Sequence, residues 1–268
     1  MHPIEHLRYV ARASGADPAV VAAEAAEALT EMARMQPAGL VPACRRLIER
    51  HVTAGPVWWL SARMLREDDP VAAGRRAADE LRHDPTSGHL ADALAEGATA
   101  LVIGWPDVTS GGLRRRGDVE VLVVDWASEG DQFVRRLRER GSDAELVSES
   151  GVGPAAVVAD VVLVEAMAAG PAGVLAAPGS MAAAAVAAHQ RVPVWAVAGV
   201  GRLLPGALWD ALMTRLDDSG VEPWDRSVEV VPADLIDRVV GPDGLVDTAE
   251  GLARATCPAA PELFRAAG

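Results

Sequence analysis

Between Asp17 and about Leu94, apolar positions recur every three or four residues among Ala, Leu, Arg and Glu, the spacing of amphipathic helices. Asp17-Pro18 offers a cap and a first-turn proline to a helix over Ala19–Met35. Pro37-Ala38-Gly39 interrupts it, and Gly39–His51, Pro56–Leu65 and a segment from Asp69-Pro70 towards Leu81 give three more helices. Trp58-Trp59 belongs to the core at a helix–helix junction. At Ala98 the pattern changes to short apolar runs: Ala98–Ile103, Val119–Asp125, Ala144–Val147, Val161–Val164, Val192–Ala198 and Val228–Val231. Helical stretches separate them, such as Gly130–Arg140, where Phe133, Val134 and Leu137 oppose Arg135, Arg136 and Arg138. Strands without a polar face that alternate with helices form a parallel sheet covered on both sides. The pattern therefore predicts an α/β chain, with an all-helical N-terminal domain over residues 1–95 followed by a Rossmann-like parallel-sheet domain over residues 96–268.

The centre of the second part is Ala159–Ala198. Val161–Val164 reads as a central strand, Gly170, Pro171, Gly173, Pro178 and Gly179 as a loop, and Met181–His189 as an alanine-rich helix capped by Ser180. With Val192–Ala198 as the next strand, the unit is a βαβ crossover. Free N–H groups at the start of the Ser180 helix would face the crevice above the strand ends and receive an anion there. The alternative is that the glycines only turn the chain and Ser180 only caps. His189 ends this helix, where a cation favours the dipole. Ligands of such sheets sit beyond the carboxyl ends of the strands, which directs attention to residues 104–110, 125–129, 148–153, 165–180 and 199–204.

Half of the residues are hydrophobic, yet no apolar run is long enough to span a bilayer and charges interrupt every helix. The first residues show no basic start followed by an apolar core and a cleavage site, so no export is expected and the chain is placed in the cytoplasm. Cys44 and Cys257 match no metal spacing and are read as buried thiols; no metal and no cofactor are expected. A net charge of -13 argues against nucleic acid as a partner. The lone basic triplet, Arg114-Arg115-Arg116, reads as a solvated loop tip. All 25 basic residues are Arg, and neither Lys nor Asn occurs, which suggests a GC-rich, bacterial genome. Without Lys there is no Schiff base and no P-loop lysine.

Four segments carry a resemblance. ADVVLVEAMAAGPAGVLAAPGS resembles a strand followed by a Gly-Ala-Asp or Gly-Ala-Glu loop and an Asn-Gly…Asn-Lys-x-Gly-Thr turn. SESGVG, Ser148 to Gly153, resembles an Asp-Ser-Ala-Val-Gly stretch, and ATALVIGW resembles the strand before a Thr-His-Cys-Asn segment. PWDRSVEVVPADLIDRVVGPDGLV is similar to a closing strand, proline-started helix and final Gly-Val or Gly-Leu. In this order they resemble the family that contains the alpha, beta and delta subunits of translation initiation factor 2B, methylthioribose-1-phosphate isomerase and ribose-1,5-bisphosphate isomerase. A helical N-terminal domain also suits that family.

The departures from the family pattern bear on function. The isomerases' cysteine falls at Trp105 and their aspartate at Met167, neither of which exchanges protons, so the resemblance implies a scaffold without the catalytic pair. The Asn and Lys of the turn become Ala176 and Ala177, and the Arg-Pro segment becomes Trp126-Ala127-Ser128-Glu129. Two readings of the crevice stay open: a pocket filled by Trp105 and Trp126, or a reshaped binding site. The ligand-contacting positions it would use are Gly104, Trp105, Trp126, Glu149, Ser150, Glu165, Gly173, Gly179 and Ser180. Glu149, Glu165 and Asp107 are its acidic groups, read as capping or solvated carboxylates. The resemblance thus implies a non-catalytic, homodimeric protein with a regulatory role, bound to a small phosphorylated metabolite (a sugar phosphate or nucleotide) or to a protein partner. The alternatives are a divergent aldose–ketose sugar-phosphate isomerase using Glu165 or Asp107 as base, and a structural subunit of a larger complex.

Overall fold

The computed structural model describes residues 17–265; the reading of the first residues as lacking an export leader lies outside them. Helix α1, Pro18–Met35, starts where the Asp17 carboxylate accepts a hydrogen bond from the Ala19 N–H at 2.7 Å, as a cap should. After a 3-10 turn at Pro37–Gly39 come α2, Leu40–Arg50, and α3, Gly55–Arg66. Helix α4, Pro70–Arg82, is again capped by an aspartate before a proline, with Asp69 accepting from the Ala72 N–H at 3.0 Å. Small residues on the facing sides of α1 and α4, among them Ala22, Ala25, Ala26, Ala73 and Ala77, are fully buried and let the two helices approach closely. Helix α5, Thr86–Ala93, leads into the sheet.

The sheet half contains, in chain order, β1 Thr99–Ile103, α6 Asp107–Leu113, β2 Glu120–Val124, α7 Gly130–Arg138, β3 Ala144–Val147, α8 Val152–Val158 and β4 Val161–Glu165. A hairpin follows, β5 Ala168–Gly170 and β6 Gly173–Ala176, and then α9 Ser180–Gln190, β7 Val194–Val197 and α10 Gly206–Asp217. The remainder is β8 Glu229–Pro232, β9 Arg238–Gly241, β10 Gly244–Asp247 and α11 Thr248–Ala253. Seven strands form one sheet in the order β10-β9-β7-β4-β1-β2-β3, in which every pairing except β9 with β10 is parallel. β1, β2 and β4 are buried by helices on both faces, whereas the edge strand β3 leaves Glu145 and Leu146 exposed: one face packs α8, α9 and Leu252 of α11, the other α7 and residues of α5. The predicted α/β architecture, helices first and a Rossmann-like sheet after, is what the chain adopts.

Three local expectations need correction. The glycine loop after β4 is a hairpin, and β6 pairs antiparallel with β8 to make a second, three-stranded sheet. The apolar run Val228–Val231 therefore serves this small sheet, and the far positions of the large one go to β7, β9 and β10. Ser180 is not the cap: Gly179 takes that position with φ of 96°, a left-handed conformation, and Ser180 begins the helix buried. In the arginine triplet, Arg114 and Arg115 are exposed, whereas the Arg116 guanidinium donates to the carbonyls of Ala91 and Leu94 at 2.7 and 2.6 Å and to Asp118. Arg116 thus closes the C-terminal turn of α5, where unsatisfied carbonyls favour a cation.

The small sheet is the joint of the molecule. One of its faces, through Ala168 and Leu175, joins an apolar cluster with Leu29, Leu47, Trp58, Trp59 and Met64 of the helical segment; that cluster also takes in Leu208, Trp209 and Leu212 of α10 and the late residues Cys257, Ala260 and Leu263. Its other face, through Ala169, Val174 and Val231, belongs to the cluster that holds the large sheet. Gly173 permits the pairing of β6 with β8, because a side chain there would collide with the Val231 carbonyl and φ is 154°. Gly173→Ala is expected to lower stability by about 1–3 kcal/mol, read as a reduced midpoint in urea unfolding at unchanged slope.

Candidate functional site

From β1 the chain winds outward to β2 and β3, and from β4 it winds the other way to β7 and β9. The point of reversal, between the carboxyl ends of β1 and β4, is where open α/β sheets place their ligands. Two segments bound it, Gly104-Trp105-Pro106-Asp107 and Glu165-Ala166-Met167. A third, Gly199-Val200-Gly201-Arg202, closes it beyond β7.

The chain fills this crevice with its own charges. Glu165, the last residue of β4, accepts hydrogen bonds from three backbone N–H groups at the start of α6: Asp107 at 3.0 Å, Val108 at 3.3 Å and Thr109 at 2.8 Å. Arg202, 1 % exposed, donates through Nη1 to the same carboxylate at 3.1 Å and to the Ala166 carbonyl at 2.5 Å. Its Nη2 lies 3.6 Å from the Asp17 carboxylate at the head of α1, and among the described residues Nε and Nη2 find no hydrogen-bond partner. Burying a guanidinium costs several kcal/mol unless it is paired, so Glu165 and Asp17 together hold Arg202 in the interior. At the start of α9 the arrangement repeats: the Met181 N–H donates to the Glu229 carboxylate at 2.7 Å, and the Ser180 N–H to the Ala177 carbonyl at 3.2 Å. The N–H groups of Asp107, Val108 and Thr109 at α6, and of Ser180 and Met181 at α9, which would attract a ligand's anion, are thus bound to side chains and carbonyls of the protein.

Asp107 stands at the mouth of the crevice with its side chain open to solvent. The protein crowded around it, then the negative charges of Asp17 and Glu165, push its carboxyl up to about 7, against the pull of Arg202. Because the group is open to water, part of this effect is screened. A carboxyl whose folded-state pKa is raised costs the folded state stability as pH climbs from the unfolded value towards the folded one. Asp107→Asn is therefore expected to match the parent in melting temperature near pH 4, to gain on it progressively up to pH 7 and to keep a constant lead above that. Melting curves across that range check the sign.

The structure distributes the other candidate residues. Gly104 turns the chain at φ of 63° above β1. The Trp105 ring stacks on Phe133 of α7, centroids 5.7 Å apart, with the Arg136 guanidinium 5.9 Å from it. Trp126 packs instead into the cluster on the opposite face of the sheet, and Met167 packs against the helical segment, where its carbonyl accepts from the Gly55 N–H at 2.9 Å. Trp105, Trp126 and Met167 thus belong to three different packing clusters. Glu149 and Ser150 lie exposed on a 3-10 turn before α8, and Gly173 lies in the small sheet. Gly104 and Glu165, with the backbone of residues 105–109, meet at the reversal point, and Gly179 approaches it beside Ile103 at the end of β1.

Sequence reasoning passed over Arg202, Asp17 and Glu229 as site residues. Arg202 had a signal, because an arginine behind two glycines at a strand end is placed to reach into a crevice; Glu229 had none, since it arrives from a strand of the second sheet. Asp84 was also missed: it accepts from the Thr86 N–H at 2.9 Å and from the Val200 N–H at 2.8 Å, fixing the loop that carries Arg202 to the start of α5. Among the described residues, no group of three or more His, Cys, Asp or Glu is placed to hold a metal ion, and no helix is long and apolar enough to cross a membrane. Cys44 and Cys257 are buried thiols, pushed up to about 12 chiefly by burial.

A helical head, a β10-to-β3 Rossmann-like sheet and a small joining sheet define the fold class of the translation initiation factor 2B subunits. The chain superimposes on translation initiation factor eIF-2B of Pyrococcus horikoshii OT3 with a TM-score of 0.74 at 14% identity, covering 91% of this chain and 96% of that one. With a chain of the tetrameric eIF2B-beta2-delta2 complex of C. thermophilum the TM-score is 0.72 at 15% identity, over 94% of this chain and 92% of that one. With eIF2B beta from Chaetomium thermophilum it is 0.67 at 16% identity, over 92% and 86%. No protein-family model matches the sequence, and no curated protein matches it.

Proposed function

We propose that this chain is a divergent, non-catalytic member of the initiation-factor-2B-like family, working in a regulatory role through protein contacts. The observation that carries this reading is the occupation of the reversal point by Glu165, salt-bridged to Arg202. A phosphorylated metabolite would have to displace a carboxylate that already accepts from three N–H groups and from Nη1 of a buried guanidinium. Glu229 opposes it in the same way at α9.

Thermal-shift titration with inorganic phosphate, ribose 5-phosphate and adenosine monophosphate tests the reading. A ligand of the folded state raises the melting temperature by mass action. No rise beyond that given by sodium chloride at equal ionic strength is the expected result. A selective, saturable rise, or isomerisation of methylthioribose 1-phosphate by the purified protein, would overturn it.

One observation favours a second reading, that of a rebuilt sugar-phosphate isomerase. Asp107 is open to solvent beside the crevice with its carboxyl raised to about 7, a value suited to a general base at neutral pH. On that reading turnover of a sugar phosphate is abolished in Asp107→Asn. Turnover that survives the substitution removes Asp107 as base.

A further inference from the structure

Arginines in much of this chain are matched with carboxylates, as a net charge of -13 makes easy: Arg63 with Glu67 and Glu80, Arg116 with Asp118, Arg202 with Glu165 and Arg226 with Asp217. Arg114, Arg136 and Arg140 depart from this. All three are exposed, and among the described residues none of them has a carboxylate partner. Arg114 ends α6, its N–H donating to the Ser110 carbonyl at 3.0 Å. Arg136 lies in the last turn of α7, with its guanidinium 5.9 Å from the centre of the Trp105 ring. Arg140 follows one turn later, its N–H donating to the Leu137 carbonyl at 3.0 Å, which sets it on the same side as Arg136. The protein around Arg114, then the charges of Arg140 and Arg136, lower its guanidinium from the usual value, against the pull of Asp107. The three cations are thus near enough to repel one another. Asp131 is taken by Arg135 at 2.8 Å, and the exposed Glu139 and Asp107 stand at the edges of the group. A helix dipole accounts for one cation at the end of each helix, not for three gathered together.

We infer that the face formed by Arg114, Arg136 and Arg140 beside Trp105 docks a carboxylate-rich segment of a protein partner. The inference rests on the reading of the protein as one that works through protein contacts, and it names the chemistry of the contact. Charge selects an anion, because only opposite charge relieves three unpaired guanidinium groups. Spacing selects carboxylates over a phosphate. A phosphate is held by donors that close on a single point, whereas these cations come from the ends of two helices, and the two that share one are about 5–6 Å apart at Cβ. Separate carboxylates along a peptide match that spread. Trp105, half-buried and stacked on Phe133, holds the Arg136 guanidinium against its ring. That cation is therefore in place before a partner arrives and loses little freedom on binding. Much of the remaining surface of so acidic a chain repels an acidic segment, which confines the contact to this face.

A fluorescein-labelled hexaglutamate peptide titrated with the full chain, followed by fluorescence anisotropy, tests this. Saturable binding is expected at about 25 mM sodium chloride, weakening at least about tenfold by about 200 mM as exposed charges are screened. Arg136→Glu and, separately, Arg140→Glu are each expected to raise the dissociation constant by about tenfold or more. Arg75→Glu, an equal change of charge at an exposed position of α4, should leave it unchanged. Unaltered thermal melting by circular dichroism separates loss of the face from loss of the fold. Absence of saturable binding to the parent overturns the inference. Binding that both face substitutions leave intact, or that Arg75→Glu weakens as much, overturns it too, since attraction would then belong to the chain as a whole. So does displacement of the peptide by inorganic phosphate where sodium chloride of equal ionic strength does not displace it, because the face would then be a phosphate site. The account of the crevice has its own test: failure here without a thermal shift by ribose 5-phosphate removes only the chemistry of the partner, whereas such a shift removes the reading beneath it.

Discussion

Glu165→Ala is expected to lower global stability by about 3–5 kcal/mol, the cost of removing one partner from a buried ion pair. For a chain of this size that is a fall of roughly 10 °C in melting temperature. The substitution frees three N–H groups of α6 and leaves Arg202, 1 % exposed, with Asp17 at 3.6 Å as its remaining ion-pair partner among the described residues. Glu165→Gln should fall between, since an amide oxygen still accepts from α6 while the guanidinium loses its counter-charge. The double substitution Glu165→Ala with Arg202→Met should recover part of the loss, because it replaces an orphaned cation with an apolar chain of similar reach. Urea unfolding of the four proteins at pH 7 measures this. Equal stability of Glu165→Ala and the parent would show that the pair contributes nothing and that the crevice is open to other ligands.

Trp59→Ala is expected to have a comparable effect, about 3–5 kcal/mol, by leaving a cavity in the core. Trp59 is wholly buried in α3, its indole N–H donates to the Thr256 hydroxyl at 2.9 Å, and the Arg63 guanidinium lies 4.7 Å above its ring. Trp59→Phe keeps most of the apolar volume but leaves the Thr256 hydroxyl without its donor, so a loss of about 1–2 kcal/mol is expected. Hydrogen exchange distinguishes the two, because Trp59→Ala should expose amides of the helical segment and of residues near Thr256 together.

The broad architecture was legible because two periodicities divide the chain cleanly. The three-and-four spacing of Val21, Ala25, Leu29 and Met32 marks α1, and the continuous apolar run of Val161–Val164 marks a strand covered on both faces. The Asp-Pro pairs at the heads of α1 and α4 gave boundaries correct to within a residue, because a cap is a local interaction. The small sheet was not legible. β5 is three residues of Ala-Ala-Gly and β6 follows two residues later with Val174 as its one β-branched residue, so neither has the content by which strands are recognised, and the pairing of β6 with β8 spans more than fifty residues. β9 and β10 were hidden for the same reason, each being four residues long with a glycine at one end.

At the crevice, sequence order led to the correct strand ends and to Glu165. Its role as the acceptor for α6 depends on the juxtaposition of β4 with the turn after β1, which only the fold supplies. The same holds for Arg202. A buried arginine cannot be told from an exposed one by its neighbours in sequence, and its two carboxylate partners come from residues 37 and 185 positions earlier in the chain. Trp105 and Trp126, next to one another at adjacent strand ends, diverge to opposite faces because Gly104 turns under φ of 63°.

The cluster that unites Leu29, Trp59 and Leu208 with Cys257, Ala260 and Leu263 has a consequence for how the protein is made. Synthesis delivers the first helices long before residues 257–263 leave the ribosome, so the early helices must wait with their greasy sides uncovered until these residues arrive to close over them. Contacts so distant along the chain are slow to form, and a nascent segment kept in that condition is prone to aggregate or to recruit a chaperone. A ribosome stalled just short of Cys257 would hold a polypeptide that has not yet sealed its oldest part.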